Sequence, residues 1–144
     1  MKNAILFSAI FLTFSQLAVA DATLPAIKEG LWEITFKSDT AAMPTTMPSM
    51  SYTSQQCLTQ QKAADPRIFL QSNQCAILNL NQQADLISWE MRCEQQGNPA
   101  TGDGKVSYQS ETFAGIFSIN MHNDGASALK TTTQVNGRYM GSCK

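Results

Sequence analysis

Apolar and polar positions alternate along most of this chain. Trp32, Ile34 and Phe36 interleave with Glu33, Thr35 and Lys37, the period-two pattern of a half-buried strand over Leu31–Lys37. Ser51–Leu58 reads as a second strand. Between them, Ala41–Met50 carries Pro44 and Pro48, which exclude a regular helix or a central strand and predict an extended loop. Thr59 offers an N-cap, and Gln60–Ala64 and Arg67–Gln71 read as one or two helical turns flanking Pro66.

From Cys75 onward the pattern predicts an antiparallel meander. Ala76–Gln82 and Leu86–Glu94 follow one another, with Ile87, Trp89, Met91 and Cys93 on one face of the latter. Gly97–Gly104 reads as a loop by composition. Lys105–Gln109 turns Val106 and Tyr108 inward, and Thr112–His122 turns Phe113, Phe117, Ile119 and Met121 inward. Asn123-Asp124-Gly125 is a hairpin signal. Ser127–Val135 follows, a second turn is expected at Asn136-Gly137, and Arg138–Cys143 ends the chain. The fold class expected is therefore mainly β. It is a single antiparallel meander of about seven strands, curled or barrel-like, with one short helical segment after Cys57.

The 144 residues suit one domain rather than two, and a formal charge of -1 leaves no electrostatic footprint for nucleic acid. Met1-Lys2-Asn3, an apolar run from Ala4 to Leu17, and Ala18-Val19-Ala20 form the pattern of a secretory signal peptide cut after Ala20. The expected organisation is thus a leader over 1–20 and one β-rich domain over 21–144. The expected location is the periplasm, with no membrane span once the leader is removed. Four cysteines in an exported chain predict two disulfides. The favoured pairing is Cys57–Cys75 with Cys93–Cys143; the alternative is Cys75–Cys93 with Cys57–Cys143. Spacings without close pairs argue against structural zinc.

Catalytic chemistry finds little footing. The single histidine, His122, falls on the polar face of its strand, and Glu33, Glu90 and Glu94 take outward positions. No nucleophile motif or phosphate-cradling loop occurs. The expectation is a protein that is not an enzyme, is monomeric and needs no cofactor. Two local features suggest binding instead. Met43, Met47 and Met50, spaced around two prolines, offer soft thioether ligands for Cu(I). Trp32, Trp89, Tyr108, Phe113 and Phe117 would line the interior of a curled sheet, either as core or around a small apolar ligand. An envelope protein docking on the Met/Pro loop or an edge strand is the third possibility.

Several of these residues occur together in a familiar order: Gly30-Leu31-Trp32-Glu33, the Met43-Pro44 to Met47-Pro48 loop, Gln56-Cys57-Leu58-Thr59, Ala63-Ala64-Asp65-Pro66, Cys75, Ile87 to Cys93, and Asn136 to Cys143. The order resembles a family of small exported proteobacterial proteins known as a domain of unknown function. That resemblance implies a periplasmic, compact, mainly β domain, and implies no activity.

Overall fold

A computed structural model describes residues 23–42, 45–46, 48–70, 74–95, 97–121 and 129–144. The expected leader with its cut at Ala20, and also Met43, Met47, His122 and the Asn123-Asp124-Gly125 turn, lie outside the described residues.

The strands are β1 (Gly30–Ala42), β2 (Thr45–Thr46), β3 (Met50–Leu58), β4 (Cys75–Gln82), β5 (Leu86–Gln95), β6 (Asn98–Tyr108), β7 (Thr112–Met121) and β8 (Leu129–Gly141). Seven are full strands and β2 is a two-residue return onto the end of β1. All belong to one antiparallel sheet in the order β2-β1-β8-β7-β6-β5-β4, with β3 on the outer side of β1. The meander expected from Cys75 onward is present, and β1 adds to its last strand. The sheet is not closed into a barrel: its edges, β3 and β4, are joined by the segment that carries helix α1 (Gln60–Ala63) and a 3-10 turn (Pro66–Phe69). Thr59 caps α1 by accepting a hydrogen bond from the Lys62 amide at 3.2 Å, and Asp65 caps the 3-10 turn through the Arg67 amide at 3.0 Å. Elements this short hold only by packing.

Two expected turns are instead strand. Gly97–Gly104 largely belongs to β6, and Asn136-Gly137 lies within β8. Both corrections have one cause. A methyl group built on Gly104 would collide with the Trp89 ring, and one on Gly137 would collide with the Phe113 ring. These glycines are vacant inward positions that large neighbours fill. Gly137→Ala is accordingly expected to lower unfolding free energy by about 2–3 kcal/mol, read from urea denaturation.

The inward face forms one continuous core at one end of the sheet. Trp32 stacks on Phe113 at 5.4 Å between ring centroids and meets Tyr139 edge-on at 6.0 Å. Phe69, carried by the 3-10 turn, reaches into the concave face, stacking on Trp89 and meeting Phe113 edge-on. The irregular segment preceding β1 seals this end. Pro25 and Ile27 are buried, and the Ala26 and Lys28 amides donate to the Ala84 and Ser110 carbonyls, each at 2.8 Å.

Tyr108 fixes the helical segment to the sheet: its hydroxyl donates to the Ala63 carbonyl at 2.7 Å. Burial pushes the phenol upward from its ordinary value of 10.0. The neutral phenol therefore contributes its full stability below pH ~10 and loses it as pH rises further, because the unfolded chain ionises first. Tyr108→Phe should cost about 1–2 kcal/mol at neutral pH and flatten that alkaline decline, a pair of changes checked by urea midpoints between pH 7 and 11.

The two disulfides are Cys57–Cys143 and Cys75–Cys93, which corrects the favoured pairing of Cys57–Cys75 with Cys93–Cys143. The reason is topological. Cys57 is the penultimate residue of β3 and Cys75 begins β4, and these strands are the opposite edges of the sheet. Cys75 faces Cys93 directly across β4 and β5, with 4.0 Å between Cα atoms.

Candidate functional site

The alternation of β1 continues beyond its last apolar residue. Phe36 is followed on the inward face by Ser38 and Thr40, and β8 answers in register with Val135, Thr133 and Thr131. Hydroxyls thus replace hydrocarbon where the tight core ends. Ser38 and Thr133 hydrogen-bond through their hydroxyls at 2.8 Å, and Thr40 and Thr131 do so at 3.2 Å. Thr133 is only 6% exposed.

Above this hydroxyl ladder lies a cleft of about 610 Å³. Its floor is Phe36 and Ser38 of β1, Thr131 and Thr133 of β8, and Phe117 and Ile119 of β7. One flank is Met50 and Tyr52 of β3, with the Tyr52 ring stacked on Phe36 at 4.8 Å. The opposite flank is Phe69 and Leu70 of the helical segment, with Cys75 at the start of β4. No charged side chain lines it among the described residues. Lys37 and Lys130, beside the ladder in sequence, occupy exposed positions on the other face. A neighbouring groove of about 450 Å³, between the helical segment and β4, is different in kind. It carries the Asp65–Arg67 ion pair, 2.8 Å apart, in which the hydrogen bond from Arg67 holds the Asp65 carboxyl below its ordinary range.

Of the five aromatic candidates, Trp32, Trp89, Tyr108 and Phe113 form the packed core, and Phe117 alone lines the cleft. Of the three methionines, Met50 lines it and is 72% exposed; Met43 and Met47 lie outside the described residues. Two of the outward carboxylates are paired with neighbours. Glu33 accepts from Arg138 at 2.8 Å and Glu90 accepts from the Asn79 amide at 2.7 Å. Sequence reasoning missed Ser38, Phe69, Leu70 and Ile119 as cleft residues. The readable signal was the matched run of inward hydroxyls on β1 and β8.

The family model described as "Protein of unknown function (DUF3617)" matches residues 27–143, which contain every strand of the sheet. The chain belongs to the DUF3617 family. The expected resemblance to a domain of unknown function is thus met at the level of the family. No curated protein and no solved structure matches the chain. What this DUF3617 domain does must accordingly be argued from its own cleft. Among the described residues, no helix is long and apolar enough to cross a membrane.

Proposed function

We propose that this DUF3617 domain is a binding module of the cell envelope, not an enzyme, and that it holds a small apolar molecule in the cleft beside Phe117 and Ile119. The observation that carries the reading is the contrast along one concave face. One end is filled by stacked aromatic rings, and the other leaves about 610 Å³ open between apolar flanks. That volume falls in the range of small-molecule sites, which are apolar concavities with a few placed polar groups. Among the described residues, the hydroxyls that line it have no histidine or carboxylate beside them, which favours holding a ligand over breaking a bond. Two bridged cysteine pairs support an oxidising compartment. With the leader-like first 20 residues, they support the periplasm as its location.

The test is a titration of the oxidised protein with diphenylhexatriene, a pure hydrocarbon that fluoresces in apolar surroundings. Saturable binding near one molecule per chain is expected, with a dissociation constant of about 10 μM or tighter. Ile119→Trp fills the cleft and should weaken binding at least ~10-fold while leaving the urea midpoint close to wild type. An unsaturable signal, or equal binding by Ile119→Trp, would refute the reading.

A further inference from the structure

We infer that the ligand is an electrically neutral amphiphile, one hydrocarbon chain bearing an uncharged oxygen function such as an alcohol or ester, and that Ser38 and Thr133 select it. This rests on the cleft being a binding site and specifies what the site takes.

The number of protons on the hydroxyl pair limits what it can offer. Two hydroxyls that hydrogen-bond to each other use one O–H between them. The Ser38–Thr133 pair, 2.8 Å apart, therefore keeps one free donor and spare lone pairs at the cleft floor. A ligand hydroxyl or ester carbonyl can accept that donor, and a ligand hydroxyl can also donate back. Thr131, the next inward position on β8, adds a third hydroxyl to the same wall. Phe69 and Leu70 on the flank, and Phe117 and Ile119 beside the hydroxyls on β7, offer only hydrocarbon.

A carboxylate or phosphate fits this wall poorly. Entering the cleft would strip its hydration, and among the described residues no cation lines the cleft in exchange. A wholly apolar ligand also leaves the wall unexplained. Valine has the shape of threonine and already occupies the preceding inward position, Val135. An alkane site would be served better by valine at 133, since hydroxyls left without a ligand partner carry a desolvation cost. Paired hydroxyls also occur outside the cleft, at Thr35 and Thr53, 3.0 Å apart. A purely structural role for Ser38 and Thr133 must therefore be separated from recognition by a selectivity measurement.

The experiment displaces diphenylhexatriene with three ten-carbon compounds at pH 8: decan-1-ol, methyl decanoate and decanoate. The alcohol and ester are expected to displace the dye at concentrations at least ~10-fold lower than the carboxylate needs. In the double variant Ser38→Ala/Thr133→Val, the alcohol and ester should weaken about 3- to 10-fold, while the hydrocarbon dye binds as tightly as to wild type or more tightly. Retained dye binding also reports that the variant is folded; if it is lost, Thr131→Val read the same way serves in its place. The inference is overturned, with the cleft reading intact, if decanoate competes as well as decan-1-ol or if the variants keep wild-type affinity for the alcohol. If neither dye nor any decyl compound binds the wild-type protein, the cleft reading falls and this inference with it.

Discussion

Replacing Cys57 and Cys143 together by alanine is expected to lower the unfolding free energy by about 4.5 kcal/mol, the larger of two disulfide effects. The bridge joins residues 86 apart in sequence, whereas Cys75–Cys93 spans 18. On the chain-entropy account, the cost of closing the denatured loop grows with the logarithm of its length, which gives about 3 kcal/mol for the shorter bridge. The two double variants, compared by urea denaturation under oxidising conditions, should therefore differ by about 1.5 kcal/mol with the 57/143 pair the weaker. An equal or reversed order would mean that local contacts outweigh loop closure. The contacts around the long bridge act in the same direction as loop closure. Leu31 pairs with Cys57 on one side and with Gly141 on the other, so the long bridge reaches across the beginning of β1 and clamps it between its neighbours. Either loss is a large part of the 5–15 kcal/mol typical of a domain's whole stability.

Trp32→Ala is expected to cost about 3–5 kcal/mol, a third or more of the stability of a typical domain. The side chain is fully buried. Its removal would leave a void against Phe113 and Tyr139 and strand the Lys28 carbonyl, which now accepts from the indole nitrogen at 2.9 Å. Trp89 provides an internal control. It is just as deeply placed at 2% exposed, yet its indole nitrogen is buried without a hydrogen-bond partner among the described residues. Exchange to phenylalanine separates the two cases. Trp32→Phe loses a hydrogen bond as well as volume, while Trp89→Phe removes an uncompensated polar group. The first should be the more damaging by about 1 kcal/mol in denaturant titrations. Equal losses would show that the Lys28 contact contributes nothing.

Wherever one face of a strand is hydrocarbon and the other polar, the sequence made the element plain, as in Trp32-Glu33-Ile34-Thr35-Phe36 and Ile87 to Cys93. Legibility failed where an inward position carries something other than hydrocarbon. Alternation predicts that β1 ends at Lys37, but the strand runs on to Ala42 because Ser38 and Thr40 point inward as hydroxyls. Gly104 and Gly137 read as turn residues for a related reason. What fills their inward positions is a ring from another strand, and only the assembled sheet reveals it. The cysteine pairing depends on strand order, and β1 joining β8 instead of extending the meander at β4 is a long-range choice that no local pattern records. The cleft was the least legible part. Its apolar flank comes from Phe69 and Leu70, in a segment whose place over the sheet is fixed by long-range contacts, the Tyr108 hydroxyl, the Gln82 amide and the Phe69 ring packing.

The docking of β1 onto β8 also sets a schedule. Among the described residues, the β1–β3 hairpin pairs with the remaining strands only through β8, the last strand in chain order. Until the final dozen or so residues are available, a growing chain holds two unjoined fragments, each with a bare hydrophobic side. Pairings that distant in sequence form slowly, and partly assembled sheets with open edges are prone to aggregation. A version lacking Leu129–Gly141 would therefore behave as sticky, separate pieces, not as a slightly smaller domain.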